Sequence, residues 1–268
     1  MDFSSPILNL PLAIAQQYIN ALVDRTRTIT PAAVLPRRDS QVTWGSSGSR
    51  IAVLPLLGTL SQRNSPMVDF AGDTSLEAFA RVFDQLMKDS SISSIVIEVD
   101  SPGGSVYGVD ELASRIFAAR GKKRIAAIAN SMSASAAYWI ASAAGELSCT
   151  PSGEVGSIGI VAIHQDWSRA EADAGLNVTY IKAGKYKTEG NPDQPLSSDA
   201  QVAMQKRVDN YYGMFVKGVA RARGASQASV RDGFGEGRTV GASDALRMGM
   251  IDRIETMDEL LTRLGACS

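Results

Sequence analysis

Three observations predict an α/β fold with mostly parallel strands. Short apolar or β-branched runs alternate with amphipathic stretches at helical spacing along most of the chain. The clearest run, Ile95-Val-Ile-Glu-Val99, is of the near-continuous kind that a strand buried on both faces requires. The strand–loop–helix unit that it begins then repeats, and right-handed crossovers stack such units side by side.

The totals fit a soluble globular protein: 268 residues, 44% hydrophobic and 21% charged. Only 6% are aromatic, and alanine, serine and glycine are plentiful, which suits close packing of helices on a sheet. A net charge of -1 gives no global case for nucleic-acid binding. Two cysteines, Cys149 and Cys267, make no disulfide framework, and a lone histidine, His164, excludes a multi-histidine metal site. The N-terminus lacks a basic stretch followed by an apolar one, and no apolar run reaches the ~18–20 residues that span a bilayer. We therefore expect a soluble, cytoplasmic protein without signal peptide or membrane anchor.

Residues 1–47 read as an N-terminal arm or linker and 48–268 as the main domain. Within the arm, Pro11 to Leu22 has helical periodicity, and Trp44-Gly-Ser-Ser-Gly-Ser49 reads as a linker. Ile51 to Gly58 is the first core strand, with Pro55 arguing for an edge or a bulge. Residues 75–88 set Leu76, Phe79, Val82, Phe83 and Leu86 on one helical face. The strand at 95–99 runs into Asp100-Ser-Pro-Gly-Gly-Ser105, a turn signal, and a helix follows over about 106–119. A strand at 124–129 and a helix at 134–144 repeat the unit. Val155 to Ile163 and Val178 to Lys182 read as further strands, with a helix at 166–174 between them. Ala183 to Pro192 is a polar, glycine-rich loop. The next helix runs from Ser197 to about Arg223 and carries more apolar residues than one narrow stripe, which predicts packing on two sides. A turn at 235–240, a short helix ending at Gly249, a brief strand and an amphipathic helix at 256–264 close the chain.

The organising stretch is Asn130-Ser-Met-Ser-Ala-Ser-Ala-Ala-Tyr-Trp-Ile-Ala-Ser-Ala-Ala144, where a strand turns tightly into a helix. Ser131, Ser133 and Ser135 compete for the role of helix cap, the usual task of serine at a helix start. Ser135 is also the candidate nucleophile, because amides at a helix start can hold a developing oxyanion. A serine nucleophile needs a base, and His164, Lys182, Lys185 and Lys187 are the candidates. A lysine can serve when its surroundings lower its pKa from ~10.4. Sites in α/β folds form at the carboxyl ends of parallel strands, which would bring the 182–187 loop, the 100–105 loop and Ser135 to one edge. The glycines of Ser101-Pro-Gly-Gly104 permit the close backbone approach that an oxyanion hole or a peptide-binding edge needs, although the same residues serve in plain turns.

Six segments together resemble the signal peptide peptidase A family of serine peptidases, and within it the phage head maturation proteases of the lambda type. They are Ile51 to Leu60, Asp100-Ser-Pro-Gly-Gly104, Asn130 to Ala144, Gly156-Ser-Ile-Gly159, Lys187-Thr-Glu-Gly-Asn-Pro192 and Gly249-Met-Ile-Asp252. The resemblance implies a Clp protease/crotonase-like spiral of stacked ββα units over a serine peptidase domain at 48–268. It implies a serine endopeptidase with a Ser-Lys dyad: Ser135 the nucleophile, Lys187 the base, and Ser157 orienting the lysine amine. The oxyanion hole would come from Gly103 and Gly104, chiefly Gly104, with the Ala136 amide. No metal or organic cofactor is implied. The implied substrate is a polypeptide, capsid or scaffold protein for the phage branch, bound as an added strand, and the implied assembly is a homo-oligomeric ring. Two rival functions are a cytoplasmic peptidase that degrades released signal peptides and a non-catalytic capsid-assembly module. One departure from the family pattern is Ala136-Ala137, where many members have two glycines.

Overall fold

A computed structural model describes residues 11–15, 41–44, 50–63 and 74–266. Ten strands form one sheet whose main path runs β10-β7-β6-β5-β3-β2. These are β1 (Leu12–Ile14), β2 (Gln41–Trp44), β3 (Arg50–Ser61), β4 (Thr74–Ser75), β5 (Ile92–Ser105), β6 (Arg124–Ala134), β7 (Glu146–Cys149), β8 (Glu154–Gly156), β9 (Thr239–Gly241) and β10 (Arg253–Ile254). Every pairing among β3, β4, β5, β6, β7, β8 and β10 is parallel, whereas β1, β2 and β9 pair antiparallel. The expected α/β class and stacked ββα units are present: β3, β4 and the helix α1 (Leu76–Lys88) make one such unit. Further along, β6 pairs with β7 through residues 126–129 and with β8 through residues 132–134.

The helices follow local rules. Ser75 caps α1 by accepting the Ala78 amide at 3.3 Å, and Leu76, Phe79 and Phe83 are buried on the face that periodicity predicts. The next helix, α2 (Val109–Ala119), buries Val109, Leu112, Ala113 and Ile116. The third, α3 (Ala136–Ser142), is buried throughout. A short α4 (Ser168–Asp173) precedes the long α5 (Ser198–Arg223), which Ser197 caps at one end and Gly224, in the left-handed region at φ 64°, at the other. Three short helices finish the chain: α6 (Gln227–Gly233), α7 (Ala242–Met248) and α8 (Met257–Ala266).

Close packing holds α3 in place. Trp139 stacks on Phe215 of α5 at 4.7 Å between ring centroids. Gly218 lets the helices approach, since a methyl there would fall 2.3 Å from Trp139 Nε1. Arg120 gathers the carboxyl ends of both helices: its guanidinium donates to the carbonyls of Ser142, Ala143 and Ala222 at 2.8–3.1 Å. These are carbonyls that a helix end leaves without partners.

Four expectations are corrected. Leu12 to Ile14 is a strand, because pairing along β5 outweighs a helical pattern too short to nucleate alone; residues 16–22 and 45–49 lie outside the described residues. Asp100 to Ser105 is extended β5, not a turn, and its glycines serve close approach instead of reversal. A side chain at Gly104 would meet the Leu60 carbonyl oxygen at 2.1 Å. The run at 155–163 shortens to β8 plus a single bridge at Val161. Val178 to Lys182 forms no strand: no strand lies alongside it among the described residues, and Ile181 is fully exposed. Among the described residues, Pro55 pairs with Glu98 of β5 alone, since the described part of β2 reaches Val53 and β4 begins at Leu60.

Candidate active site

The carboxyl ends of β5 and β6 lie side by side, with Ser101 opposite Ser133. The chain leaves β6 through Ser135, whose backbone sits at φ 56° and ψ -120°, a conformation that costs a non-glycine residue of order 1–3 kcal/mol. Four described non-glycine residues have positive φ, and three of them, Ser131, Ser135 and Ser157, belong to this neighbourhood. Strain of this kind persists only where surrounding contacts fix it. Here the Ser135 amide donates to the Gly156 carbonyl at 2.6 Å, its carbonyl accepts from Trp139 at 3.0 Å, and the Ser157 amide donates to the Arg238 carbonyl at 2.8 Å.

The three competing serines separate. Ser131 Oγ donates to Asp100 Oδ1 at 2.7 Å. Ser133 Oγ and Ser135 Oγ are both buried without a hydrogen-bond partner among the described residues. Ser135 stands at the cap position of α3, yet its side chain does not cap. A buried, unpartnered hydroxyl costs about 1–3 kcal/mol, so its retention on a strained turn asks for a functional reason. Ala136, the first residue of α3, carries an amide with no acceptor inside the helix.

The glycine strand is organised by Ser101, which the sequence reading did not single out. Its hydroxyl donates to the Gly58 carbonyl at 2.6 Å and accepts the Gly103 amide at 3.1 Å. The signal was there: serine two residues before a glycine is a local side-chain-to-backbone motif. Of the two candidate oxyanion donors, Gly103 has its amide tied to a side chain of its own strand, whereas the Gly104 amide is left to face a peptide carbonyl from outside β5. Gly103 itself, at φ 97°, has room for no side chain: a methyl would lie 3.0 Å from the Ala136 nitrogen and 2.2 Å from the Ala13 carbonyl oxygen.

Lys187 is not hydrogen-bonded to Ser135, whose hydroxyl has no partner. It lies exposed in the loop between α4 and α5, its amide donating to the Gly184 carbonyl at 3.2 Å. The other candidates for a base are engaged. Lys182 Nζ donates to Thr188 Oγ1 at 2.9 Å. Lys185 sits over the Tyr186 ring and 3.7 Å from Asp199, and the Tyr186 contact, then Asp199, raise its pKa, which holds the amine in its protonated form and takes its lone pair away from general-base work. His164 Nε2 lies 3.0 Å from the Asn191 carbonyl. The Lys187 side chain makes no hydrogen bond or ion pair among the described residues. Cys149 offers no rival nucleophile, since burial, with Glu154 nearby, pushes its thiol up to about 11.

Among the described residues no group of three or more histidine, cysteine, aspartate or glutamate side chains could hold a metal ion, and no helix is long and apolar enough to cross a membrane. In fold, the chain is similar to a ClpP1 mutant from Listeria monocytogenes at 16% identity and a TM-score of 0.48, over 78% of this chain and 94% of that one. In sequence, it is 34% identical to the head-tail preconnector protein GP5 of Enterobacteria phage P21 over 67% of its length, and 31% identical to the capsid assembly protease C of Escherichia phage lambda over 79%. It spans only 36% and 48% of those two proteins. The model of peptidase family S49 matches residues 118–266, more than half of the chain and the part that carries Ser135, Ser157 and Lys187; on that match, the chain belongs to peptidase family S49.

Proposed function

We propose that this chain is a serine endopeptidase with a Ser135–Lys187 dyad, acting as a head maturation protease on capsid or scaffold protein. The observation that carries the reading is the buried Ser135 hydroxyl, left without a partner on a strained turn beside Gly104 and Ala136. Ser135 Oγ bonds to the carbonyl carbon of an extended peptide while its proton passes to the neutral Lys187 amine. The oxyanion is held by the amides of Gly104 and Ala136. Lys187 then gives the proton to the leaving amine, takes another from water, and the hydroxide equivalent hydrolyses the acyl-serine. Ser157 orients the lysine amine. The capsid assignment rests on the phage relatives, one of which is named a capsid assembly protease. It implies a cytoplasmic host setting or a capsid precursor.

The dyad requires the 176–191 segment to close over Ser135. That segment exposes Leu176, Val178, Tyr180, Ile181 and Tyr186, a set of large apolar side chains in need of cover. A second copy of the chain in a ring-like homo-oligomer supplies that cover and brings the lysine in. The test is cleavage of a loosely folded protein, followed by mass spectrometry. The parent cuts, with a rate rising with pH, while Ser135→Ala and Lys187→Ala do not. Cleavage that survives in Lys187→Ala but is lost in His164→Ala refutes the lysine assignment. No cleavage by any form points to a non-catalytic assembly role.

A further inference from the structure

We propose that β1 is an occupant of the peptide-binding groove supplied by the chain itself, with Ala13 as the residue whose carbonyl Ser135 attacks. This rests on the peptidase reading above and adds to it a substrate class and a scissile bond.

Beyond its pairing with β5, the 12–15 segment is bound on both sides. On one flank, Leu12 donates to the Val161 carbonyl at 2.8 Å and Val161 donates back to Leu12 at 2.9 Å. On the other, Ala13 stands opposite Gly104, and the Ala15 amide donates to the Pro102 carbonyl at 2.8 Å. In an antiparallel ladder, hydrogen-bonded pairs recur every second residue. With Leu12 facing Val161 and Ala15 bonded to Pro102, the Ala13–Gly104 pair is the hydrogen-bonded one. The Ala13 carbonyl therefore accepts the Gly104 amide, the donor assigned to the oxyanion. The Gly103 geometry agrees, since one methyl-sized space there borders both the Ala13 oxygen and the Ala136 nitrogen.

Two consequences follow. Both edges of β5 at Gly103 and Gly104 are taken, by Thr59 and Leu60 of β3 on one side and by Ile14 and Ala13 on the other. A foreign peptide can add there as a strand only when β1 leaves. Ser135 has no exposed surface in this arrangement. The side chains then define what the groove takes. Ala13 and Ala15 point one way, and both are fully buried. Leu12 and Ile14 point the other way into a small cluster with Val161 and Ile163, separate from the main core. The groove thus fits an extended segment with a small residue at the cleaved position and a large apolar residue on either side.

In the reaction, the Ala13 carbonyl carbon bonds to Ser135 Oγ and its bond to the Ile14 nitrogen breaks. The hydroxyl proton passes through the Lys187 amine to that nitrogen, which leaves as the α-amino group of Ile14. Water then hydrolyses the ester, leaving a carboxylate on Ala13 and restoring the Ser135 hydroxyl.

The experiment incubates the full chain, maps its N-terminus by mass spectrometry, and assays cleavage of casein alongside. The expected result is a new terminus at Ile14, absent in Ser135→Ala and formed, once the protein is concentrated enough to fill the ring, at a rate that no longer changes with concentration. In Ala13→Trp the terminus forms at least about tenfold more slowly, since a pocket built for a methyl rejects a large ring, while casein cleavage persists and shows that the variant is folded. Cleavage of casein with the chain's own terminus intact, or cut elsewhere, overturns the inference and leaves the dyad standing. A rate that keeps climbing with protein concentration after sedimentation shows the ring fully assembled overturns the in-cis arrangement. If no form cuts either substrate, the peptidase reading fails and this inference fails with it.

Discussion

Replacing Gly218 by alanine sets two physical effects against each other with opposite signs. Gly218 lies inside α5, and helix propensity alone predicts that alanine stabilises by about 1 kcal/mol. Against this stands the contact with α3: the new methyl would lie 2.3 Å from Trp139 Nε1, 3.0 Å from Cε2 and 3.2 Å from Cδ1. The first distance is more than an ångström short of ordinary contact. The indole cannot swing aside, because it is buried and stacked on Phe215. Overpacking of a tight core costs about 1–3 kcal/mol and more when nothing can give. We therefore expect Gly218→Ala to destabilise by about 2 kcal/mol after the propensity gain. Trp139→Phe removes the ring edge that the methyl strikes, and it sacrifices no hydrogen bond, since Nε1 has no partner. The double variant should then show favourable coupling of about 1 kcal/mol. The assay is urea denaturation of all four proteins at one protein concentration, so that any self-association is held constant. A Gly218→Ala protein at least as stable as the parent would refute the packing argument. The consequence reaches the active site as well, because the Trp139 amide bonds to the Ser135 carbonyl.

Three further outcomes are expected. Arg120→Ala, which strips charged donors from the carbonyls of Ser142, Ala143 and Ala222, lowers stability by about 2–3 kcal/mol in denaturant titration. Burial alone would raise the Asp252 carboxyl, but hydrogen bonds from Arg223 and the Leu147 amide outweigh it and hold its pKa below the ordinary value. Its contribution is therefore complete above about pH 4–5 and lost as pH falls through the depressed value, so the gap in urea midpoint between parent and Asp252→Asn stays constant from pH 7 to 5 and narrows by pH 3. In a Cys267→Ser background, the buried Cys149 thiol resists maleimide at neutral pH and reacts at the free-thiol rate once urea unfolds the chain.

How much of this was legible in the residues depends on whether the deciding interaction is local. The starts of α1 and α5 at Ser75 and Ser197, the stop of α7 at Gly249 and the Leu76–Phe79–Phe83 face of α1 rest on local signals, and each was read. Non-local pairing was not. Leu12 to Ala15 satisfies a helical template and an extended one equally, and only the open edge of β5 and the backbone of Val161 decide for strand. Val178 to Lys182 has strand-forming residues but lacks the partner that makes a strand, so β propensity misleads there. Asp100-Ser-Pro-Gly-Gly-Ser105 has turn composition, yet its glycines exist because Leu60, Ala13 and Ala136 press against that backbone. The site divides along the same line. Ser135 could be proposed from a strand that runs into small residues, whereas for Ser101 only the bond to Gly103, two residues away, has a local signature, and the bond to Gly58 that ties the glycine strand to its neighbour has none. Lys187 is the extreme case. Three lysines share one loop, the side chains of two are tied to Thr188, Tyr186 and Asp199, and the side chain of the third makes no hydrogen bond or ion pair among the described residues. If Lys187 is the proposed base and works only when delivered to Ser135, freedom from local side-chain partners is the property that leaves it deliverable. It is also the property that a reading of nearest neighbours in sequence cannot supply.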